Sequence, residues 1–470
     1  QTVHTFRISG NPPSVALIYL NSLVDANQLS KAIIGPLNQW FEQPKISLPL
    51  DEIEKAINVA ETEKYQDLHT IIEKLLSGMA VLLVDQSPTA LGFYLPGFPR
   101  RQVTEPPTER VVRGSREGFT DVLTDNLGMV RRWIKDPNLR IESMLIGERT
   151  KTTVALLYLN DVANPDLVRE VKKRLAPISI DAIIDSGYLS ELITDHRLTV
   201  FPLVQETERP DKVAAGILEG RVAIIVDKSP FALIVPVTSN EFYQTPEDFY
   251  LNYWVGTFIR FIRGIGTFIS VTLPGFYVAA VSVNPTILPA SFIHILSAGR
   301  TQVPVPVVIE TYLSLFAFEI FRESIIRVPK NISLILGIAG GVLMGLVAMN
   351  SGLVGGATII VVIFTTLATF TTASVAKEQA WRITRYLLLL ASGAFGITGL
   401  TLAGVTVIAH LASLTSFGVS YLAPWSPPLP IDIVDAYFRT PWWASYRRPP
   451  TYRPQQEDRL GKTTEGDAKP

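Results

Sequence analysis

No charged residue lies between Lys330 and Lys377, and that gap constrains the fold more than any other feature of the chain. Residues 331–376 read NISLILGIAGGVLMGLVAMNSGLVGGATIIVVIFTTLATFTTASVA. A bilayer core is about 30 Å thick and needs roughly 20 apolar helical residues to cross it. Two crossings are therefore expected here, Ile332–Asn350 and Leu353–Val375, joined by a tight turn at Ser351-Gly352. The alternative is a buried helical hairpin of a soluble protein. Two further charge-free stretches, 264–299 and 386–431, flank this one and argue for a membrane instead.

Charges are dense up to Arg263 and sparse through most of residues 264–431, so the chain of 470 residues divides into a soluble half and a membrane half. The net charge of −1 gives no polybasic character, and nucleic acid is not an expected partner. The chain has no cysteine, which excludes disulfides, thiol nucleophiles and Cys-based metal sites. The five histidines, His4, His69, His196, His294 and His410, are scattered, so neither metal nor cofactor is expected. No phosphate-binding loop, His-Glu-x-x-His or Gly-x-Ser-x-Gly element occurs, and an enzyme is not expected. No signal-peptide pattern precedes the soluble half, which places it on the cytoplasmic side as an expectation.

The soluble half repeats itself. Val15-Ala-Leu-Ile-Tyr-Leu-Asn21 returns as Val154-Ala-Leu-Leu-Tyr-Leu-Asn160, and Leu76–Pro88 returns as Leu218–Pro230. Each copy opens on a strand-like apolar run and ends on a second run, an Asp-x-Ser-Pro turn and a third run, 90–95 or 231–237. Helical patterns at 165–175 and 211–219 lie between them. Short continuous apolar strands alternating with helices imply an α/β layer fold with buried strands. Asp85, Ser87, Asp227 and Ser229 tempt a catalytic reading, but Asp and Ser before Pro are turn formers and are expected to be only that. Between the copies runs a basic stretch with Arg113, Glu117, Arg131 and Arg132, helical through Leu123, Leu127 and Val130. It reads as a solvated helix face or as a contact for an acidic partner or lipid headgroups. The expected organisation is subdomain one at 1–100, connector at 101–150, subdomain two at 151–250, a membrane domain of four to six helices at 251–431, and an extended Pro- and Arg-rich tail at 432–470.

Within the membrane half, 264–283 is long enough for a first crossing, with a kink at Pro274, and 386–409 for a last one. Pro304 and Pro306 precede an apolar helix that carries Glu310 and Glu319 and ends in Arg322-Glu323. Carboxylates at membrane depth are costly and face protein or water, which makes them candidates for gating or partner contact. The alternative is an interfacial helix with solvated acids. Thr358, Thr365, Thr369 and Thr372 fall on one helical face, with Val361 and Val362 on or beside it. That pattern suits a hydrated pore wall with an apolar gate formed by several copies of the chain. Interhelical packing through hydroxyl and small residues, such as the Gly337, Gly341, Gly345 ridge, is the other reading. Arginine and lysine clusters at 322–330, at 377–385 and in the tail cannot all be cytoplasmic with four or five crossings. An extra re-entrant pass near 411–425 is expected to reconcile them.

Several motifs in combination resemble the GerA family of spore germination proteins, specifically the A subunits of germinant receptors. They are Arg113-Gly-Ser-Arg-Glu-Gly-Phe-Thr120 with Asn126-Leu127 and Arg131-Arg132; Leu273-Pro-Gly-Phe-Tyr-Val-Ala279; Arg300 with Val303-Pro-Val-Pro306 and Glu310; Phe318-Glu-Ile-Phe-Arg-Glu323 with Arg327-Val-Pro329; and Leu414-Thr-Ser-Phe-Gly418 with Tyr421-Leu-Ala-Pro424. Ser115 stands where a proline is usual, Val305 where an aromatic is common, and Trp133 in place of an arginine. The resemblance covers residue 12 to the tail. It implies a multi-pass protein of the spore inner membrane, its N-terminal domain on the core side. It also implies a transporter-like B subunit and a lipoprotein C subunit as partners, and a homo-oligomeric, nutrient-gated cation channel. A branch resembling stage V sporulation protein AF, associated with dipicolinate release, and a non-conducting receptor scaffold are the alternatives.

Overall fold

The structure, a computed structural model of the chain, describes residues 2–6, 15–19, 24–41, 53–55, 57, 59, 62–76, 79–85, 87–95, 105–329, 332, 340–341 and 345–459. Two compact units divide it, residues 1–101 and 102–470.

The first unit is a five-stranded antiparallel sheet in the order β1-β2-β4-β5-β3. The strands are Thr2–Phe6, Val15–Tyr19, Thr62–Tyr65, Met79–Val84 and Ala90–Tyr94, numbered β1 to β5 in chain order. The helical stretch 26–41 (α1) covers one face with Leu29, Ile33 and Leu37, which meet Leu17, Leu82 and Phe93. Leu68–Leu76 (α2) brings Ile71 and Leu75 to the other face, against Met79 and Val81.

The second unit opens with the same sheet. Strands Leu139–Ile146, Thr152–Leu159, Gln205–Thr207, Val222–Val226 and Ala232–Val235 (β6 to β10) take the order β6-β7-β9-β10-β8, again antiparallel. Period-two alternation explains their uninterrupted apolar composition. Val154, Leu156, Ile224, Val226 and Leu233 point to one core, formed with Pro165–Leu175 (α4) and Ser186–Ile193 (α5). Ala155, Leu157, Ala223, Ile225 and Ile234 point to the other, under Leu123–Trp133 (α3) and Pro210–Leu218 (α6). Asn164 caps α4 by accepting from Asp166 N at 2.9 Å, with Pro165 in the first turn. The expected connector thus supplies α3 and the edge strand β6. The Asp-x-Ser-Pro turns carry structure: Ser87 and Ser229 N–H groups bond back to Val84 and Val226, and Asp227 accepts from Leu123 N at the start of α3, at 3.3 Å.

Past the short helix Pro246–Tyr250 (α7) the chain becomes a helical bundle. Its helices are Tyr253–Val278 (α8), Ala290–Ala298 (α9), Val307–Arg327 (α10), Gly356–Thr369 (α11) and Val375–Ser413 (α12). The runs Tyr253–Val283 and Val375–Ser413 are long and apolar enough to cross a membrane, and α11 is a shorter apolar helix. Phe258, Phe261, Phe268, Ile320, Phe364, Leu367, Leu387 and Leu402 are all exposed on the outside of the bundle. A belt of that extent belongs against lipid or other chains, not water. Pro274 remains inside α8, and the irregularity follows it as a π-turn over Ala279–Val283. Most of the expected crossing Ile332–Asn350, with Gly337, lies outside the described residues. The expected crossing Leu353–Val375 is shorter than its apolar run, because Val375 already begins α12.

The last apolar run is not one crossing. Gly396 takes φ 61° and ψ −142°, a conformation only glycine adopts without strain, and splits α12 into two helices. A methyl on Gly399 would strike the carbonyl oxygen of Ala391, eight residues back, which in a straight helix is about 12 Å away. The second helix therefore doubles back. Ile397 N donates to Asn284 Oδ1 (2.9 Å) beyond the far end of α8, whereas Leu411 returns to pack in one cluster with Ala380 and Phe201.

Residues 411–425 form no re-entrant pass. Thr415–Ser416 and Val419–Ser420 (β11, β12) make a hairpin that docks on the second α/β layer. Ser416 Oγ donates to Leu203 O and accepts from Val237 N, while Phe417 enters the domain core beneath the Arg174 guanidinium. Nor does the described tail extend freely. Pro430–Tyr437 (α13) and the segment to Arg459 lie along the same domain, with Gln455 N on Val162 O (2.8 Å), Arg448 Nε on Leu218 O (2.8 Å) and Arg459 beside Glu219 (3.2 Å). Polar side chains of the tail find backbone carbonyls there that the α/β fold leaves open.

Domain and bundle meet at Lys377. Its side chain is fully buried among five rings, with Nζ 4.6 Å from the Tyr421 centroid, 5.0 Å from Phe201, 5.4 Å from Trp381, 5.7 Å from Phe242 and 5.8 Å from Tyr243. Nζ donates to Ser239 Oγ (2.9 Å) and Tyr421 Oη (2.8 Å), and among the described residues it has no carboxylate partner. Burial pushes the Tyr243 phenol up to about 12 and raises Tyr421 too, so the cage stays uncharged.

Two expectations test this arrangement in detergent-solubilised protein. Gly396→Val should cost on the order of 1–3 kcal/mol of thermal stability through its backbone conformation alone; Gly404→Ala, in open space on the same helix, should cost nothing. Lys377→Met should lower the unfolding temperature modestly, since an apolar chain of similar length keeps the packing but loses both hydrogen bonds and the ring contacts of the ammonium. Lys377→Glu should lower it sharply, and equal behaviour of the two variants would show that the cage does not recognise charge.

Candidate functional site

The threonine face of α11 points into the bundle. Thr358, Val362, Thr365 and Thr369 are buried in the single chain, while Ile360, Ile363, Phe364 and Leu367 face outward. Thr358 Oγ1 lies 2.9 Å from Tyr277 Oη of α8, Thr369 Oγ1 accepts from Arg385 Nη1 of α12 at 3.2 Å, and Thr372 Oγ1 lies 3.3 Å from Thr267 Oγ1 of α8. Val362 packs with Tyr277, Val278, Val307, Leu315 and Leu389, and Val361 borders that group. The stripe is therefore a polar seam covered by three neighbouring helices and interrupted by an apolar cluster at Val362.

Each end of the seam is closed by charge. At the end far from the α/β layer, Glu310 is buried and accepts from Arg300 Nη1 (2.6 Å) and from Gly355 N (2.7 Å) at the start of α11. A carboxylate there also meets the positive end of the α11 dipole. Pro306 caps α10, and Arg300 Nη2 reaches back to Val305 O (3.1 Å), so the Pro304–Pro306 bend is held by the same arginine. At the end near the domain, Glu319 accepts from both Arg382 and Arg385 (Arg385 Nη2 at 3.1 Å), and Arg322 pairs with Glu378. Glu323 pairs with Arg327 on the exposed side of α10 (2.7 Å).

Along this seam several buried polar atoms have no hydrogen-bond partner among the described residues: Thr311 Oγ1, Thr365 Oγ1, Tyr386 Oη and Arg385 Nε. Buried groups of this kind are almost always satisfied by protein or by water.

The connector residues lie elsewhere. Arg113 N bonds Glu247 Oε1 (3.2 Å), Arg132 pairs with Glu117 (2.8 Å), and Arg131 is exposed on α3. They belong to the second α/β layer rather than to the seam. Glu310 was a candidate from the sequence, but its pairing with Arg300 and the burial of Lys377 escape a reading of the sequence. Opposite charges ten residues apart across a Pro-x-Pro bend were the available signal for the pair; no local pattern announces an aromatic cage drawn from four separate segments.

The family model of the Bacillus/Clostridium GerA spore germination protein matches residues 2–451. Spore germination protein KA of Bacillus subtilis is 37% identical over 448 residues, which cover 95% of this chain and 82% of that protein. Spore germination protein GerLA of Bacillus cereus is 33% identical, covering 94% and 89%. Stage V sporulation protein AF of Bacillus subtilis is 32% identical, covering 88% and 83%. The crystal structure of the N-terminal domain of the A subunit of the Bacillus megaterium germinant receptor GerK3 aligns at 32% identity over 50% of this chain and 86% of that one, with a TM-score of 0.22. The likeness to it is one of sequence and not of superposed backbone. By the family match over nearly its whole length and by these relatives, the chain belongs to the GerA family of spore germination proteins.

Proposed function

We propose that the chain is the A subunit of a nutrient germinant receptor, and that copies of it assemble into a ligand-gated cation channel of the spore inner membrane. A transporter-like B subunit and a lipoprotein C subunit would complete the receptor. The observation that carries the conducting reading is the seam along α11, polar and short of hydrogen-bond partners, with ionised clusters at both ends and one apolar constriction at Val362. Ions cross membranes where hydroxyls and water replace hydration and an apolar ring dewets to close the path. A non-conducting scaffold is the second reading, favoured by the burial of the threonine face against the chain's own helices. On the conducting reading the seam must widen when the subunits open.

The same reading gives six passes. Arg322 and Lys377 mark the domain end of the bundle, and Arg300, Asn284 and Gly352 the far end. α8, α10, α11 and the two halves of α12 each join one end to the other, and Arg327 and Ser351 lie at opposite ends. An even count returns the tail to the side of the α/β domain, where it is docked. Arg322, Arg327, Arg382, Arg385 and the tail arginines then share one side, which the positive-inside tendency makes the cytoplasmic core of the spore.

Val362→Ala and Val362→Thr should both raise the resting potassium leak of spores carrying the variant, the first by removing bulk and the second by wetting the constriction; an unchanged leak in both removes the gate assignment. Planar bilayers separate channel from scaffold, because a scaffold shows no conductance in any assembly state. Because the chain has no cysteine, Asp166→Cys, Trp443→Cys and Thr301→Cys report sidedness directly. An impermeant maleimide should label the first two from the same face of inner-membrane vesicles and the third from the opposite face. Labelling of Asp166→Cys and Trp443→Cys from different faces would make the number of passes odd.

A further inference from the structure

A cavity of about 410 Å³ opens where α8 leaves the α/β layer, between that helix and both halves of α12. Its walls are apolar, with Phe268 and Val271 on one side and Leu388, Val407 and Ile408 on the other. A side chain at Gly264 or Gly404 would meet nothing within 4 Å, so the space continues outward to the exposed apolar belt. The volume falls within the roughly 300–1,000 Å³ range of small-molecule sites.

Arg260 lines the polar end of this cavity, and its guanidinium is 97% buried. It belongs to a cluster with Arg263, Arg439, Asp248 and Asp435. Arg263 takes both carboxylate oxygens of Asp248, at 2.7 and 2.6 Å. Burial pushes Asp248 up, but the bonds from Arg263 and the nearby Arg260 outweigh it and hold the carboxyl below its ordinary range. Arg260 is left with a 3.5 Å approach of Nε to Asp248, a distant 3.9 Å approach to Asp435, one bond from Nη1 to the Asp435 carbonyl, and the Phe249 ring 5.0 Å from its guanidinium carbon. Among the described residues, Arg260 Nε, Arg260 Nη2 and Arg439 Nε have no hydrogen-bond partner. Three guanidiniums thus face two carboxylates, with three charged N–H donors unused in a buried place. Leaving one such donor unsatisfied costs about 1–3 kcal/mol or more, and the arrangement asks for an anion.

We propose that this cavity holds an anionic amphiphile, its head on Arg260 and its alkyl chain along Phe268, Val271, Val407 and Ile408. Each half of the site selects one half of the ligand. The surplus guanidinium charge and free N–H groups suit carboxylate or phosphate oxygens, while the mostly apolar walls suit an alkyl chain. Arg260 lies about 10 Å along α8 from Tyr253, below the exposed Trp254. That is the depth at which headgroups meet hydrocarbon, and basic pockets between helices on this side of a bilayer are where acidic lipid heads bind. An acidic phospholipid and a free fatty acid share the required chemistry. The proposal does not depend on whether the bundle conducts: the cavity lies between α8 and α12, and neither Arg260 nor the proposed chain contacts Phe268, Val271, Val407 and Ile408 belong to the threonine face of α11.

The test uses the full chain, purified in mild detergent after reconstitution with equal phosphatidylcholine and phosphatidylglycerol plus a trace of palmitate. Mass spectrometry of the retained lipid is the readout. Wild type should keep an acidic amphiphile in excess over phosphatidylcholine, and the mass identifies phospholipid or fatty acid as the source. Arg260→Gln should reduce that retention about tenfold or more. Gly404→Leu fills the alkyl space while leaving every charge in place, and should reduce it similarly; this variant decides the matter even where Arg260→Gln fails to fold. Retention of neutral and acidic lipid in equal measure, or undiminished acidic lipid on folded Gly404→Leu, overturns the proposal.

Discussion

A desolvated ammonium has to be stabilised by something, and at Lys377 the stabilising groups come from almost everywhere in the second unit. Phe201 comes from the α/β layer, Ser239, Phe242 and Tyr243 from the turn that follows it, Trp381 from α12 itself and Tyr421 from the segment past α12. A cation over a desolvated ring gains about 2 kcal/mol, and five rings with two hydroxyls replace a hydration shell only while all of them stay in place. The cage therefore works as a joint. If the hairpin lifts or the domain shifts, the lysine loses rings and has no carboxylate in reserve. This makes the register between domain and bundle a cooperative property rather than the sum of many weak surface contacts.

The α/β duplication was legible because its cause is local and repeated. Both faces of β7, β9 and β10 are covered, so their sequences are unbroken apolar runs, and the same runs recur at nearly constant spacing. The turns between them advertise themselves through Asp, Ser and Pro. Edge strands β3, β6 and β8 were not legible in the same way, since one-sided burial leaves mixed compositions such as Thr-Glu-Lys-Tyr. What hides there is pairing, which sequence alone encodes only weakly.

In the bundle the apolar runs were visible but their ends were not. Gly396 sits in a stretch already rich in glycine, serine and alanine, and nothing local separates a glycine that packs from a glycine that reverses the chain. The reversal depends on Asn284, more than a hundred residues earlier, offering its side chain to Ile397 N. The threonine face of α11 was likewise legible as a face. Which neighbour covers it was not, because that is decided by Tyr277, Thr267 and Arg385 on two other helices. The tail misleads for a related reason: proline and arginine suggest an extended solvated chain, yet those arginines are bound to backbone carbonyls of the domain.

The reversal at Gly396 and the cage at Lys377 act on one another. Without the reversal, residues 411–421 would end on the opposite side of the bundle, and Tyr421 could not close the cage; without the cage, the two antiparallel halves of α12 would lack their common anchor at the domain. The helix that begins in the cage also carries the charges that close the seam. Lys377, Trp381 and Arg385 recur at intervals of four on one face, and about 12 Å of continuous helix separates the first from the last. A helix is stiff over two turns, so a displacement of Lys377 toward or away from the α/β layer moves Arg385 by a comparable amount. Arg385 holds Thr369 with one nitrogen and Glu319 with another, and its Nε has no partner among the described residues. Of the residues that touch the seam, Arg385 shares a helix face with the cage lysine, so its position is set from the domain side.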